Sequence, residues 1–167
     1  MKKYKFSGKT ITVDDGEREI TLHQIQALID FGNVCAGEVG GWIECENNLS
    51  QNGNAWVDGN ARVYGDARVY GDAWVYGNAW VCGDARVYHS THLLTIGAIG
   101  SRNSFTTFYR DKDGEITVKC GCFCGKIEKF LNKVKETHGD NKHAQVYRAA
   151  VELAKLQIDL SGDDDDE

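Results

Sequence analysis

Residues 53–88 read GNAWVD, GNARVY, GDARVY, GDAWVY, GNAWVC and GDARVY, which are six unbroken copies of one hexad. A six-residue period predicts a parallel β-helix, because each hexad can form one side of a prism whose successive coils bury a shared core. The sequence therefore predicts the shape of the molecule more directly than its chemistry.

Each hexad contains the triplet Ala-x-Val, which predicts a short strand. Side chains alternate between the two faces of a strand, so the alanine and valine point inward and the middle residue points outward. The Gly-Asn or Gly-Asp pair turns the corner, because glycine adopts positive φ without strain and Asx side chains bind nearby backbone groups. With three hexads to a coil, residues 18 positions apart stack at about 4.8 Å.

This register predicts three chemically different outer walls. The first carries Trp56 over Trp74 and Asp58 over Tyr76, the second Arg62 over Trp80 and Tyr64 over Cys82, and the third Arg68 over Arg86 and Tyr70 over Tyr88.

Motifs around and within the hexads resemble the YdcK-like hexapeptide-repeat proteins, which are common in phages and prophages and are often labelled transferases. They are AGEVGGWIE at 36–44, NLSQ at 48–51, GNAWV at 53–57, TIGAIGSRN at 95–103, CGCF at 120–123 and THG at 137–139. The resemblance covers nearly the whole chain and implies a single-stranded left-handed coil, although parallel crossovers generally favour the right hand. It transfers no catalytic residue to this chain.

The flanking segments predict caps on both ends of an all-β core. Residues 1–37 predict an N-terminal β cap, with a small hairpin that breaks at Gly8 and a strand, in preference to a helix, within 20–31. Such a cap protects an otherwise unpaired β edge. Residues 38–108 predict the β-helix. Ile43 and Leu49 form its first degenerate rungs, and one further coil follows through Leu93, Ile99 and Phe105.

Residues 109–160 predict a C-terminal cap. The turn DKDG at 111–114 favours a β-hairpin between 105–109 and 115–122. Ile127, Phe130, Leu131 and Val134 have helical spacing, Gly139 suits a helix C-cap, and Asn141 can begin a second helix. This second helix is predicted to bury Ala144, Tyr147, Ala150, Val151 and Ala154.

The composition predicts a cytoplasmic protein with reduced thiols. The start, MKKYKF, lacks the apolar stretch of a secretion signal, no run of the sequence suits a membrane span, and six cysteines in an unexported chain favour free thiols. The net charge of −6 comes mostly from the acidic run 163–167. We expect 161–167 to be a disordered, solvated tail, and the alternative is that it imitates phosphates or occupies a basic groove on a partner.

Candidate binding residues lie on two of the walls. Arg68, Tyr70, Arg86 and Tyr88 combine guanidinium and aromatic groups, which suits a small anionic ligand or an acidic protein surface, although the arginines could also simply stack on the tyrosines. Nucleic acid is disfavoured, because the chain without its tail is nearly neutral. Outward Trp56, Trp74, Tyr76 and Trp80 predict self-association into a dimer or trimer.

The candidate catalytic residues are His89 and His92, at the point where the repeat breaks. Many left-handed hexapeptide-repeat proteins are acyltransferases that use a histidine as general base beside coenzyme A. His92 is expected to face outward above Trp74, and the alternative is that His89 merely reshapes a corner. The enzymes usually carry a protruding loop, whereas these hexads run without insertion.

Cys120, Cys122 and Cys124 would share one face of a strand, and His138 or His143 could complete a metal site. Their one-residue spacing is unlike that of structural zinc sites, so buried free thiols are the preferred interpretation and no metal is predicted.

Taken together, these patterns predict a non-catalytic phage-type recognition scaffold without a cofactor that binds a host protein or a small anionic ligand. The alternative is an acyltransferase that uses a coenzyme A thioester.

Overall fold

The computed structural model describes residues 1–161, so the predicted acidic tail lies, apart from Ser161, outside the described residues. Thirteen strands and two helices are described in this range. The strands are β1 Tyr4–Asp14, β2 Glu19–Ala27, β3 Val39–Ile43, β4 Trp56–Val57, β5 Arg62–Val63, β6 Arg68–Val69, β7 Trp74–Val75, β8 Trp80–Val81, β9 Arg86–Val87, β10 Leu93–Ile99, β11 Ser104–Arg110, β12 Ile116–Cys120 and β13 Phe123–Lys126. The helices are α1 Ile127–His138 and α2 Lys142–Gln157.

The hexads form a β-solenoid with three parallel ladders. Strand β4 pairs with β7, β5 with β8 and β6 with β9, and in each pair the partners lie 18 residues apart, as in Arg68 opposite Arg86. The predicted register is therefore confirmed. The six alanines and six valines of the hexads are all at most 1% exposed, so the core of the prism consists of small and branched side chains.

The first coil is two residues longer than the others. Trp42 pairs with Arg62 and Leu49 with Val69, a separation of 20 residues. Ile43 and Leu49 are confirmed as the first rungs. The fully buried Asn48 joins this coil to the next, because its Nδ2 donates to the carbonyl oxygens of Gly65 and Ala67 at 3.1 and 2.9 Å.

The N-terminal hairpin has its turn at residues 15–18, so the prediction of a small hairpin at Gly8 is wrong, although the strand pairing is irregular there. Gly8 has φ of 101° and lies at a register shift between Phe6 and Thr10, inside the continuous strand β1. The predicted strand within 20–31 is confirmed as β2, which pairs antiparallel with β3 and extends the second wall.

The parallel coils end earlier than the sequence predicts. Strand β10 pairs antiparallel with β11, so Ile99 and Phe105 belong to a four-stranded antiparallel sheet and not to a further coil. The reason is the turn at residues 100–103, where Gly100 and Asn103 have φ of 81° and 47° and reverse the chain.

The C-terminal unit has the predicted hairpin and helices. Strands β11 and β12 form the hairpin, Gly139 is the C-cap of α1, and the Asn141 side chain accepts a hydrogen bond from the backbone N–H of Ala144 at the start of α2. The sequence did not predict β13. The five residues predicted to be buried on α2 form one apolar cluster with Phe108, Val118 and Phe130. Neither helix within residues 1–161 is long and apolar enough to cross a bilayer.

Candidate ligand-binding groove

The second wall is covered by the N-terminal hairpin. Val13, Ile20 and Leu22 pack with Tyr64 and Cys82, which are 2% and 4% exposed although they point away from the solenoid core. An apolar hairpin therefore occupies most of this wall.

The first wall is partly covered, and the prediction that Trp56 lies in an oligomer interface is wrong. Its ring is 1% exposed and has edge contacts with Phe31 and Tyr4, at centroid distances of 5.3 and 6.4 Å. The N-terminal segment folds over this coil and buries the indole within the chain. One coil further on, Trp74 is half-buried and Tyr76 is 63% exposed.

Trp80 is half-buried against two cations. The Arg62 guanidinium lies 4.9 Å and the Lys119 ammonium 5.3 Å from the centroid of its ring. The prediction of a dimer or trimer therefore rests mainly on Trp74 and Tyr76.

The third wall carries an open groove beside its arginine ladder. A cavity of about 440 Å³ lies between this ladder and residues 46–52 of the first coil. Its lining residues are Glu46, Asn47, Leu49, Ser50, Gln51, Asn52, Arg68, Val69, Tyr70 and Arg86. The structure thus brings three of the four predicted ligand-binding residues together. Tyr88 contacts the back of Tyr70, with ring centroids 5.1 Å apart, and buries that ring to 6% exposure.

The two arginines of the ladder differ in their partners. Arg86 is held by its Nη1, which donates to the carbonyl oxygens of Asp66 and Ala85, both at 2.9 Å. The Arg68 side chain is exposed, and its guanidinium has no hydrogen bond or ion pair with any residue in the range 1–161. Glu46, the carboxylate of the groove, lies 2.8 Å from the Lys2 ammonium, so its charge is compensated.

A second groove of about 360 Å³ lies on the other side of the same ladder, so the arginines form a ridge between two cavities. We call Arg68 and Arg86 the arginine ridge. The second groove is more acidic, since it contains Asp66 and Asp84, and Lys112 lies 3.6 Å from the Asp84 carboxylate. An anion is therefore better placed in the first groove.

The two histidines have different environments, and the prediction that His92 faces outward is wrong. His92 is 3% exposed, its Nδ1 accepts from the backbone N–H of Tyr88 and of His89, and its Nε2 lies 3.2 Å from Arg110 Nη1. It fixes the corner that ends the solenoid. His89 is half-exposed, and its Nδ1 lies 2.7 Å from Asp72 Oδ1. Asp72 was not among the predicted site residues, although the 18-residue register places it below Ser90, next to His89.

Comparison with known proteins supports the solenoid. Residues 61–77 and 79–94 match the family described as YdcK Beta solenoid repeat. The hexads within these two ranges are thus similar to the repeats of that family. A protein of Escherichia coli strain K12 named "Uncharacterized acetyltransferase YdcK" is 39% identical over 61 residues, which are 34% of this chain and 19% of that protein. The chain thus spans about a fifth of the length of this curated relative.

The three cysteines that follow the hexads do not lie on one strand. Cys120 is on β12, Cys122 is in the turn after it, and Cys124 is on β13. The prediction of buried thiols is wrong for Cys122 and Cys124, which are both exposed. No group of three or more His, Cys, Asp or Glu side chains in residues 1–161 is arranged to hold a metal ion.

Cys124 instead contacts a thiol of the last solenoid coil. Its Sγ lies 3.8 Å from Cys82 Sγ and 3.6 Å from the Tyr109 hydroxyl. Hydrogen bonds from the Cys82 thiol and the Tyr109 hydroxyl outweigh partial burial and lower the pKa of Cys124 to about 6. This contact links the solenoid to the C-terminal sheet.

Proposed function

We propose that this chain is a non-catalytic binding scaffold whose arginine ridge holds a small anionic ligand in the adjoining groove. The observation that carries the proposal is the exposed Arg68 guanidinium, without a partner in residues 1–161, at the edge of a cavity of about 440 Å³. Guanidinium groups bind carboxylates and phosphates through paired hydrogen bonds. Pockets of this volume accommodate small molecules.

The ladder favours a ligand with more than one negative charge. Arg68 and Arg86 are paired residues of neighbouring parallel strands, so their positive charges stack on adjacent rungs. Like charges on adjacent rungs repel, and an anion that contacts both guanidinium groups relieves this repulsion. Pyrophosphate and succinate represent phosphate and carboxylate ligands with more than one negative charge.

Calorimetric titration with pyrophosphate and with succinate at low salt tests the ridge. We expect Arg68→Gln combined with Arg86→Gln to weaken binding at least about tenfold, because both charge-assisted contacts are lost. The matched control is Arg62→Gln, at the same hexad position on the second wall, where the guanidinium lies on Trp80. Affinity that is equal in the double variant and the wild type, with both folded by circular dichroism, would disprove the proposal.

We further propose a left-handed coil and self-association through Trp74 and Tyr76. The hand is the one that the resemblance to hexapeptide-repeat proteins implies, and the exposure of Tyr76 supports the association. If the scaffold serves a phage, the arginine ridge is the surface that would contact an acidic patch on a host protein.

Acyl transfer is the second candidate function, and the contact between His89 and Asp72 favours it. With Nδ1 held 2.7 Å from the Asp72 carboxylate, Nε2 is left to accept a proton from an acceptor hydroxyl or amine that attacks the thioester of acetyl-coenzyme A. The C–S bond then breaks, and coenzyme A leaves as the thiol after it takes up this proton. The partial relative carries the name acetyltransferase. His92 has no such role, because the contacts of the corner occupy both of its ring nitrogens.

Assays with acetyl-coenzyme A and a panel of small amines and alcohols decide between the two functions. The binding scaffold is expected to show no turnover. Turnover that falls about 10²–10⁴-fold in both His89→Gln and Asp72→Asn would replace the first proposal with the second. His138→Gln is the control, because that ring lies against Tyr147 in the helical cap.

A further inference from the structure

A separate cavity of about 400 Å³ lies where the second wall of the solenoid meets the C-terminal sheet. We call it the junction cavity. The residues that matter for its chemistry are Asp14, Trp80, Arg102, Ser104, Phe105 and Lys119. It shares no lining residue with the groove beside the arginine ridge.

The most unusual residue of the junction cavity is Lys119. It lies on β12, paired with Thr107 on one side and Cys124 on the other, and is 3% exposed. Its ammonium lies over the Trp80 ring, but within residues 1–161 it has no hydrogen bond and no ion pair. The lysine side chain is largely buried and its ammonium has unused hydrogen-bond donors, and the contact with one aromatic ring compensates only part of the cost of desolvation.

A second cation lines the same cavity. Arg102 lies in the turn between β10 and β11, and its guanidinium packs directly on Gly121. A Cβ at Gly121 would overlap this guanidinium, so the glycine permits the close approach. Within the described part of the chain, Arg102 also has no hydrogen bond or ion pair.

The carboxylates near these cations leave their charge uncompensated. Asp14 is exposed, and its Oδ1 accepts from the backbone N–H of Gly16 at 2.8 Å. Asp15 interacts with Lys119 only through space, and its Oδ1 accepts from the backbone N–H groups of Glu17 and Arg18. The lining of the cavity therefore has one more cation than anions.

We propose that the junction cavity binds a small organic anion, a phosphate or carboxylate attached to an aromatic ring. Lys119 and Arg102 bind the anionic group, and the 39% exposed ring of Phe105 packs with Trp80 against the apolar part. The volume suffices for one aromatic ring and its anionic substituent. This site is independent of the arginine ridge.

Titration of the ¹⁵N-labelled full chain with phenyl phosphate tests the site. We expect the indole N–H resonance of Trp80, assigned with Trp80→Phe, to shift while that of Trp74 stays in place. Lys119→Met, which keeps the length of the side chain and removes the charge, is expected to weaken binding at least about tenfold. Lys112→Met, on the third wall beside Asp84, is the matched control and is expected to bind as the wild type does.

The choice of ligands separates the contributions to binding. Benzoate in place of phenyl phosphate shows whether the site prefers a carboxylate. Inorganic phosphate lacks the aromatic ring and therefore measures the contribution of the ring to binding, and phenol lacks the anionic group and therefore measures the contribution of the charge. Arg102→Gln, in a surface turn, repeats the test if Lys119→Met does not fold. No shift of the Trp80 resonance, equal affinity of the folded Lys119→Met chain, or equally tight binding of phenol would overturn the proposal. The double substitution of Arg68 and Arg86 is expected to leave the phenyl phosphate-dependent shift of the Trp80 resonance unchanged, because Trp80 lines only the junction cavity, so the two sites can fail separately.

Discussion

Trp56→Ala is expected to lower the free energy of unfolding by about 3–5 kcal/mol, since it removes a large, fully buried side chain. The indole lies between Phe31 and Tyr4 and also fills the space beside Gly40, where a Cβ would lie 2.7 Å from the ring. Its loss leaves a cavity between the first coil and the N-terminal cap. Urea unfolding followed by far-ultraviolet circular dichroism measures the change.

Trp74→Ala is the matched control, because Trp74 has the same hexad position one coil later on the same wall. Its half-buried side chain should cost less than half as much as that of Trp56. Equal losses in the two variants would contradict the assignment of Trp56 to the core. Light scattering on Trp74→Ala also tests self-association, because a dimer or trimer held by this wall should lose mass.

Asp111→Asn is the substitution with the second large expected effect, about 3 kcal/mol. Asp111 is 3% exposed, and its two carboxylate oxygens accept from the backbone of Asp113 and Glu115, the Thr117 hydroxyl and the Lys126 ammonium. Within residues 1–161, an amide removes the nearest and only buried one of the three carboxylates around the Lys126 ammonium, at 2.6 Å, and leaves those of Asp113 and Glu115 at 3.0 and 3.3 Å. Asp111 also forms a backbone β-bridge with Ala85, so a disturbance of its side-chain contacts lies at the joint between solenoid and C-terminal sheet.

The same carboxylate predicts a pH dependence. Burial raises the pKa of Asp111, but the hydrogen bonds from Lys126, Thr117, Glu115 and Asp113 outweigh burial and lower it below the usual value. A lowered pKa means that the stabilisation is complete above the unfolded value of about 3.9 and is lost as the pH falls through the folded value. Between pH 6 and 2 the wild type should therefore lose more stability than Asp111→Asn.

Unfolding titrations at several pH values measure both effects. Asp113→Asn is the control, because its half-exposed carboxylate also contacts Lys126, at 3.0 Å, and such exposed pairs contribute less than about 1 kcal/mol. Parallel stability curves for wild type and Asp111→Asn would show that this carboxylate is not the group that titrates.

The register of the parallel strand pairs was predictable because it follows directly from the six-residue period. Arg68 pairs with Arg86, and Trp56 with Trp74, because six-residue spacing fixes which backbone groups meet. The inward alanines and valines were predictable for the same reason, since alternation along a strand is a local property.

The surroundings of the outward residues were not predictable from the period. Trp56 is buried by residues up to 52 positions earlier in the chain, and the second wall by a hairpin whose path depends on long-range packing. The burial of His92 arises in the same way, because Arg110 reaches it from the C-terminal sheet. The environment of Lys119 was only weakly indicated by its position between Val118 and Cys120 on β12, because its contact residue Trp80 is 39 residues away in the chain.

The ends of the solenoid meet unlike structures. At the N-terminal end of the solenoid, β3 pairs with β2 of the N-terminal hairpin. At the C-terminal end, the backbone N–H of Trp74 donates to Ser90 Oγ and that of Trp80 to Thr107 Oγ1. The backbone N–H of Lys112 donates to the carbonyl oxygen of Asp84. None of these contacts depends on the number of coils between the two ends. The length of the solenoid is therefore free to vary in steps of about 4.8 Å through duplication of three hexads. If the proposed anion binding holds, each added coil with an arginine on the third wall would lengthen the row of positive charge and favour a longer polyanion.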